Sequence, residues 1–314
     1  MATSTPHLLL VATGGTIAGC AASAQENLGY RSELSAAELV AAVPALAGVA
    51  LRSVQLAQLD SKDMSHAVWQ ALVNMLAAEL AREDVTGVVI THGTDTLEET
   101  AYFLQRVLAP AKPVVMTAAM RPATSLQADG PQNLLDAVTV AQTPGARGVL
   151  AVLGGQVHAG DELRKIDGYR LQAFDSAPAG PLALVEEGRV LPLRPWPQGQ
   201  PLGAALCTRP LADWPRVAWL TSHAGFDAAL VDAAVAAGFH GLVLAGTGNG
   251  TLHADLEAAA ARATQAGVVL RLSTRCASGR VVGDAPRAVP VSPTHSAAQA
   301  RVALLLELLA LLAR

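Results

Sequence analysis

A short apolar strand that runs directly into two glycines is the feature that most constrains this fold. Leu8–Ala12 is an unbroken apolar run, which is typical of a strand buried on both faces of a parallel sheet. Gly14 and Gly15 then permit a sharp turn, and Thr16 places a hydroxyl at that turn. Open α/β sheets bind ligands at the carboxyl ends of such strands, so this hydroxyl is a candidate nucleophile. A phosphate-binding loop and a helix cap are the alternatives that this segment alone leaves open.

The rest of the chain alternates strand-like and helix-like segments, which indicates a parallel sheet with helices on both faces. We predict a two-domain α/β protein with a mainly parallel sheet and flanking helices. A larger, Rossmann-like amino-terminal domain is followed by a smaller carboxyl-terminal α/β domain. In the larger domain the predicted strands are Leu8–Ala12, Val85–Thr91, Pro113–Ala118 and Gly148–Leu153, and the predicted helices are Ala36–Val43, Ser65–Arg82, Thr96–Leu108 and Gly130–Gln142.

The domain boundary is predicted where this periodicity stops. Six prolines occur from Pro192 to Pro215, a density that is typical of a linker. Because 314 residues are many for one hydrophobic core, we predict a catalytic domain at residues 1–191, a linker at 192–215 and a second domain at 216–314. In the second domain the predicted strands are Val217–Thr221, Gly241–Ala245 and Val268–Ser273, and the predicted helices are Ala228–Ala237, Ala254–Gln265 and Ala297–Ala313.

Charge and composition argue against several classes of partner. The net charge of −4 leaves no basic footprint for nucleic acid, and no apolar run approaches the roughly 20 residues of a membrane span. The first six residues lack the basic start of a secretory signal, so a cytoplasmic protein is expected. The three cysteines lie far apart without a CxxC motif and the eight histidines do not cluster, so neither a disulfide framework nor a metal site is predicted.

A second segment repeats the design of the first. Gly93 follows an apolar strand and allows a turn at which Thr94 and Asp95 can project into one crevice. Part of this polarity has a structural interpretation, because Thr96–Glu99 has the spacing of a capping box. The preceding His92 ends an apolar strand, and we interpret it as a core histidine.

Lysine is rare in this chain, and two of its three lysines lie beside polar motifs. Only Lys62, Lys112 and Lys165 occur among 22 basic residues. Lysine can release its proton whereas arginine cannot, so Lys165 is a candidate proton donor, with a chance position as the alternative. Lys62 lies with Ser61 in the polar cluster Asp60–Asp63. We interpret this cluster as a site for the charged end of a substrate or as the polar start of a helix.

Two further segments follow the predicted strand Pro113–Ala118. Ala119–Pro122 and Ala128–Asn133 lie at the same edge of the sheet and are predicted to form walls of the same pocket, with a helix cap as the alternative for Asp129. The chain has no GxSxG elbow, no Walker lysine motif and no HExxH motif, and its first glycine-rich loop lacks the GxGxxG spacing.

Taken in order along the chain, these segments resemble the bacterial-type L-asparaginases of the asparaginase/glutaminase family, which hydrolyse asparagine to aspartate and ammonia. The resemblance implies a two-domain fold, a small amino-acid substrate, and no metal or organic cofactor. It also implies a homo-oligomer, either a dimer or a tetramer of close dimers. The segments that carry it are Ala12–Gly19, Ile90–Tyr102, Ala119–Pro122, Ala128–Pro131 and Ala245–Gly250.

The resemblance also implies a role for each candidate residue. Thr16 would be the nucleophile that forms an acyl-enzyme, oriented and activated by Tyr30 on the mobile loop that follows it. A second group would relay a proton, and a third set would bind the substrate, with Ser61 and Asp95 at its carboxylate and amino ends. The relay consists of Thr94, Asp95 and Lys165, and the binding set of Ser61, Lys62, Asp95 and the backbone carbonyl of Ala119.

Four departures from the family pattern bear on substrate preference. Lys62 replaces a Gln or Ser, so it would repel a substrate ammonium unless it points away or pairs with Asp63. Thr251 stands where Asn or Ser is common, and no glutamate lies near residues 284–286. Tyr30 aligns only if its loop carries one extra residue.

Hydrolysis of L-asparagine is therefore the predicted function. A glutaminase-asparaginase, or a hydrolase of another small amide, is the nearest alternative, because selectivity for one methylene is worth only about 1–3 kcal/mol. A non-catalytic amino-acid-binding protein would be expected to lose one of the catalytic candidates, and none is lost. A nucleotide-binding protein would need a conventional phosphate loop and an acidic ribose partner, which the chain lacks.

Overall fold

An eight-stranded mixed sheet organises the amino-terminal part of the chain in the computed structural model, which describes residues 5–283 and 286–313. The strands up to residue 192 are β1 (His7–Gly14), β2 (Gly19–Cys20), β3 (Arg31–Ser32), β4 (Leu51–Leu59), β5 (Val85–Thr91), β6 (Pro113–Thr117), β7 (Gly148–Leu153), β8 (Gln156–Ala159), β9 (Arg164–Lys165), β10 (Phe174–Asp175), β11 (Ala183–Glu186) and β12 (Arg189–Pro192). Five neighbouring strands run parallel in the order β4-β1-β5-β6-β7. The antiparallel strands β8, β11 and β12 extend the sheet beyond β7.

Four helices flank this sheet: α1 (Ala36–Ala41), α2 (His66–Leu80), α3 (Leu97–Leu108) and α4 (Gly130–Ala141). Ser65 caps α2 by accepting the backbone N–H of Val68, as the sequence predicts. A full capping box between Ser35 and Glu38 begins α1. Helices α1 and α2 therefore each begin where a serine side chain accepts an otherwise unpaired backbone N–H.

The alternation of side chains along β1 divides the core into two layers. Leu8 and Leu10 join residues of α1 and α4 in one apolar cluster. On α2 and α3, the rings of Trp69 and Phe103 stack with centroids 4.6 Å apart, and both side chains are buried. Helices thus cover both faces of the sheet, which is why its central strands are apolar throughout.

Several strands were missed from the sequence, for two physical reasons. β4 is an edge strand whose side chains are exposed or half-buried, so it carries no continuous apolar run. Strands β8, β11 and β12 have only four residues each, too few to show a period. These antiparallel strands were not predicted, but the sheet is mainly parallel as predicted. The predicted elements all form, and their bounds agree within two residues at each end.

The carboxyl-terminal part has a sheet of its own. It contains β13 (Val217–Thr221), β14 (Gly241–Gly246) and β15 (Val269–Thr274), which are parallel in this order, and the helices α5 (Ala229–Ala236), α6 (Ala254–Gln265) and α7 (Ala297–Leu312). Side chains of α5 and α6 pack in one apolar cluster, and Leu304 of α7 packs in another with Val243 and Ala245 of β14. This part is a small α/β unit, as predicted.

The chain divides into two compact units between Cys207 and Thr208. This division lies within the proline-rich stretch 192–215, where two short 3₁₀ turns form at Ala204–Cys207 and Leu211–Asp213. Among the described residues, no helix combines the length and the apolar composition that crossing a bilayer requires.

Candidate active site

The order of the parallel strands creates a crevice at one edge of the sheet. The chain passes from β1 to β4 on one side and from β5 to β6 on the other, so the sheet has a topological switch point between β1 and β5. Ligands of open α/β sheets bind at such a point, outside the carboxyl ends of the strands. The segments that follow β1, β4, β5 and β6 carry Thr16, Ser61, Thr94 and Ala119, so the predicted candidates lie at this edge.

Two glycines allow these loops to touch. Gly15 has a φ of 84°, and a Cβ placed there would lie 2.4 Å from the Cα of Gly93. A Cβ on Gly93 would in turn lie 2.4 Å from the Oγ of Ser61. Any larger residue at either position would push the three loops apart, so the closeness of the candidate side chains depends on these glycines.

The hydroxyl of Thr16 contacts the hydroxyl of Tyr30. The two oxygens are 2.5 Å apart, and Thr16 is buried at the start of a 3₁₀ turn that spans Thr16–Ala18. The side chain therefore does not cap a helix. The aromatic ring of Tyr30 packs on Gly19, where a Cβ would lie 2.7 Å from a ring carbon. Tyr30 therefore reaches Thr16 from the loop that follows it.

Tyr30 is a neutral partner for Thr16 in the resting site. Burial raises the pKa of the Tyr30 phenol, and the carboxylates of Asp60 and Asp95 raise it further. The hydrogen bond with Thr16 and the charge of Lys62 act in the opposite direction, but the pKa remains above its ordinary value. Tyr30 therefore holds the Thr16 hydroxyl in place as a protonated phenol at neutral pH.

The loop that carries Tyr30 is tied to the segment after β6. The backbone N–H of Ala21 donates to Thr124 Oγ1 at 2.9 Å, and Ser125 Oγ donates to Asn27 Oδ1 at 2.7 Å. Asn27 also donates to the hydroxyl of Tyr169 at 3.4 Å. These contacts hold the loop over the edge of the sheet that carries Thr16.

A second group of side chains forms around Lys165. Its ammonium donates to Thr94 Oγ1 at 2.9 Å and to Asp95 Oδ1 at 2.6 Å, across about 70 positions of sequence. The Lys165 side chain is 17% exposed and that of Asp95 is 51% exposed, so the carboxylate also faces the crevice and solvent. In this arrangement the Lys165 ammonium can give a proton to the Thr94 hydroxyl, and the hydroxyl can pass its own proton on.

Ser61 is placed by the same turn that carries Asp95. Its buried Oγ accepts the backbone N–H of Asp95 at 3.1 Å, and its carbonyl accepts the hydroxyl of Thr96 at 2.8 Å. The Thr96 side chain makes no capping bond to α3, so the predicted capping box at Thr96–Glu99 was wrong. The polarity of this turn joins two loops rather than starting a helix.

The charge of Lys62 is compensated on its own turn. Its ammonium lies 3.2 Å from Asp60 Oδ2 and 2.9 Å from Asp63 Oδ2, and its side chain is 61% exposed. The hydrogen bonds that Lys62 donates to Asp63 and Asp60 raise its pKa. From the sequence, Lys62 was expected to repel a substrate ammonium unless it points away or pairs with Asp63, and the pairing with Asp63 is present.

Two models of known protein families match the chain in succession. The model described as "Asparaginase, N-terminal" matches residues 7–197, and the model described as "Glutaminase/Asparaginase C-terminal domain" matches residues 216–310. The chain belongs to the asparaginase family.

Members of the asparaginase family are similar to the chain over most of its length. It is 36% identical over 287 residues to "L-asparaginase 2" of Escherichia coli (strain K12), covering 89% of this chain and 81% of that protein. It is 34% identical over 288 residues to the "Glutaminase-asparaginase" of Pseudomonas fluorescens biotype A, covering 90% and 79%. The crystal structure of the "Probable Cytoplasmic L-asparaginase" from Campylobacter jejuni matches with a TM-score of 0.90 and 30% identity, covering 97% and 95% of the two chains.

Two residues that support the loop after β6 had no such role in the sequence prediction. The carboxylate of Asp129 accepts the backbone N–H groups of Met120 and Arg121 and makes no capping bond to α4, so the helix-cap interpretation was wrong. Asn133 donates to the carbonyl of Ala118 at 2.9 Å and accepts the backbone N–H of Gly154 at 2.9 Å. These bonds fix the backbone on both sides of the buried Ala119. In the sequence, the only indication of a role for these two residues was that they lie in the predicted pocket-wall segment Ala128–Asn133.

His92 is a core histidine, as predicted. It is fully buried, its Nδ1 lies 2.7 Å from the carbonyl of Gly93, and burial lowers its pKa to about 4. Its Nε2 has no hydrogen-bond partner within residues 5–283 and 286–313. His92 is therefore neutral at physiological pH.

The remaining sequence candidates lie in the second unit or outside the described residues. Thr251 pairs with Thr247 through reciprocal backbone and side-chain bonds at the end of β14. Asp284 and Ala285 lie outside the residues that the structure describes. Within the described ranges, no group of three or more His, Cys, Asp or Glu side chains is arranged to hold a metal ion.

Proposed function

We propose that this protein hydrolyses the side-chain amide of L-asparagine to L-aspartate and ammonia, with Thr16 as the nucleophile and an acyl-enzyme as the intermediate. The observation that carries the proposal is the pair of hydroxyls at one sheet edge, each with its own proton partner. Thr16 contacts Tyr30 at 2.5 Å, and Thr94 contacts Lys165 at 2.9 Å. Membership of the asparaginase family supports this assignment.

In the first step, Thr16 Oγ1 attacks the amide carbon and the carbonyl electrons move to its oxygen. The Thr16 proton has to leave as the new bond forms. Because the pKa of Tyr30 is raised, its phenol does not act as a resting base. It accepts the Thr16 proton only as it passes its own proton to a water molecule in the crevice, so we assign Tyr30 to a relay.

Collapse of this intermediate breaks the carbon–nitrogen bond and releases ammonia. The departing nitrogen needs a proton, and the Lys165 ammonium can supply one through the Thr94 hydroxyl. Asp95 stabilises the ammonium between turnovers through their 2.6 Å contact. In the second step a water molecule attacks the ester carbon. One proton of this water returns through Thr94 to the Lys165 amine, the bond to Thr16 Oγ1 breaks, and Thr16 recovers its proton from solvent through Tyr30.

The polar groups around the crevice suit an α-amino acid. The half-exposed Asp95 carboxylate is the group that we assign to the substrate ammonium, and Ser61 is assigned to the substrate carboxylate. Because Asp60 and Asp63 neutralise Lys62, its charge does not exclude an ammonium from the crevice. The backbone carbonyl of Ala119 is assigned to the leaving amide. No step requires a metal or an organic cofactor.

Glutamine is the second candidate substrate, because one relative of the chain is named a glutaminase-asparaginase. Its side chain is longer by one methylene, which changes binding by only about 1–3 kcal/mol. The test is ammonia release by the purified protein with L-asparagine, L-glutamine and D-asparagine over micromolar to millimolar concentrations. A clear preference for L-asparagine supports the proposal, and equal or greater turnover of L-glutamine makes the protein a glutaminase-asparaginase. No release from any of the three contradicts both.

The nucleophile is tested by Thr16→Ala, which we expect to abolish turnover while substrate binding and thermal stability are retained. Thr86→Ala is the matched control, because Thr86 donates its hydroxyl to the carbonyl of His7 at the opposite end of the strands. Turnover near the wild-type level in Thr16→Ala would rule out Thr16 as the nucleophile. Equal losses in both variants would indicate a general loss of structure.

We also propose a homo-oligomer, either a dimer or a tetramer, and a cytoplasmic location. The family resemblance supports the first, and the similar Campylobacter jejuni protein, a probable cytoplasmic L-asparaginase, supports the second. The proposed domains are residues 1–191 and 216–314 with a linker at 192–215, and the family-model limits at residues 197 and 216 support them. Light scattering, cell fractionation and limited proteolysis test these three assignments.

A further inference from the structure

Lys165 is held at both of its ends by one short segment of chain. Its ammonium contacts Thr94 and Asp95, and its backbone N–H donates to Glu98 Oε2 at 2.6 Å. The segment Thr94–Glu98 forms the turn from β5 into α3. A single local conformation therefore places the partners of both the charged end and the backbone of this lysine.

The backbone of Lys165 lies outside the eight-stranded sheet. β9 has only two residues and pairs with the two residues of β10 in a separate two-stranded sheet. Isolated pairs of this kind are marginally stable in water. The bond from Lys165 to Glu98 instead joins β9 to α3, whose first turn follows directly from a central strand.

The chemistry of Glu98 suits it to this task. Its side chain is buried, with 9% of the residue exposed, and it lies in the first turn of α3, where the helix dipole favours a negative charge. A carboxylate that accepts a backbone N–H makes a shorter bond, about twice as strong as one between neutral groups. The sequence prediction assigned the neighbouring Glu99 to a capping box with Thr96, which the structure does not contain, and it gave Glu98 no role.

We propose that Glu98 is a positioning residue for the amide hydrolysis. By holding the backbone N–H of Lys165, it sets where the ammonium lies relative to Thr94 and Asp95. Glu98 acts through Lys165, and the inference rests on the function proposed above. Without Glu98 the Lys165 ammonium would remain in the crevice but would be displaced from Thr94. It would then transfer its proton to the Thr94 hydroxyl less often.

Kinetics of three Glu98 variants test this inference. Glu98→Ala removes the acceptor, and we expect kcat to fall on the order of 100-fold, because misplacement of a catalytic group by about 1 Å has that effect. KM should stay within about threefold, since the lost interaction serves the chemical step. Glu98→Gln keeps an acceptor oxygen and should recover kcat to within about fivefold of the wild type. Glu98→Asp withdraws the carboxylate by one methylene and should lower kcat even if Glu98→Ala fails to fold.

The matched control is Glu38→Ala. Glu38 lies in the first turn of α1, and its carboxylate accepts the backbone N–H of Ser35 at 2.8 Å, so the same kind of bond is lost far from Lys165. Its kcat should equal that of the wild type. A wild-type kcat in both Glu98→Ala and Glu98→Asp, or an equal loss in Glu38→Ala, would overturn the inference.

Amide hydrogen exchange at Lys165 gives a readout that does not need activity. Exchange at this amide should be at least about tenfold faster in Glu98→Ala than in the wild type, because a hydrogen bond that protects the amide is lost. Exchange should be unchanged in Glu98→Gln and Glu38→Ala, and an unchanged rate in Glu98→Ala would contradict the inference. If the wild type released no ammonia from any amide, the proposed function would fail, while this exchange rate would still decide the role of Glu98.

Discussion

Replacement of Lys165 by methionine should separate the chemical role of its ammonium from its contribution to stability. Methionine keeps an unbranched side chain of similar length, so the main loss is the charge and its contacts at 2.6 Å with Asp95 and 2.9 Å with Thr94. Because the Asp95 side chain is 51% exposed, water screens the ion pair and solvates the freed carboxylate. We expect the free energy of unfolding to fall by about 1 kcal/mol or less, which corresponds to a Tm shift of about 2–4 °C or less.

The expected effect of Lys165→Met on catalysis is much larger. A positioned proton donor contributes about 10²–10⁴-fold to rate, and each tenfold change corresponds to 1.36 kcal/mol of barrier. The variant should therefore lose about 3–5 kcal/mol of transition-state stabilisation. This loss exceeds the expected change in stability several times over, so the two effects can be told apart in one protein.

The assay compares kcat for ammonia release from L-asparagine with thermal unfolding of the same samples. Lys112→Met is the matched control, because the Lys112 ammonium donates to the carbonyl of Arg82, away from the crevice. The control should keep both kcat and Tm close to wild type. If Lys165→Met retained kcat within about threefold of the wild type, Lys165 would be an ion-pair partner with no part in proton transfer.

Two further predictions follow from single contacts. Tyr30→Phe removes the hydroxyl that lies 2.5 Å from Thr16 but keeps the ring that packs on Gly19, so kcat should fall about 100-fold with Tm unchanged, and an unaltered kcat would refute the relay. Burial lowers the pKa of His158 from 6.5 to about 4, and its Nδ1 lies 2.5 Å from Ser176 Oγ. Between pH 6.5 and 4 the imidazole of His158 is protonated in the unfolded chain but neutral in the folded chain. The free energy of unfolding should therefore fall as the pH is lowered from 6.5 towards 4. Urea unfolding at a series of pH values between 6.5 and 4 gives the free energy of unfolding at each pH. This free energy should change less with pH in His158→Asn than in the wild type, and an identical change would contradict this prediction.

The central strands could be read from the sequence because burial on both faces leaves an unbroken apolar run. Val85–Thr91 and Gly148–Leu153 were predicted with the bounds that the structure has. The edge strand Leu51–Leu59 could not be found in this way. Every side chain of this edge strand is exposed or half-buried, so polar and apolar residues are mixed along it and no continuous apolar run results.

Two polar residues in the turns suggested helix caps that the structure does not contain. Thr96 and Asp129 have residue types and spacings that suit helix caps, yet their side chains bond to Ser61 and to the backbone of Met120 and Arg121. A cap and a bond to a distant loop both satisfy an unpaired N–H or carbonyl. The residue type and the local spacing are the same in both cases, so the local sequence does not distinguish a cap from a bond to a distant loop.

The sequence by itself determined the α/β class, the two parts of the chain, and the residue types available for chemistry at the carboxyl ends of the strands. The family resemblance grouped some of these residues, but their contacts are decided by the tertiary structure. Asp95 and Lys165 are 70 positions apart, and Glu98 and Lys165 are 67 apart, so their contacts depend on how β9 lies against α3. Strand and helix patterns arise from interactions between near neighbours in sequence, whereas a catalytic site forms where distant segments are packed together, and only the folded chain fixes that packing.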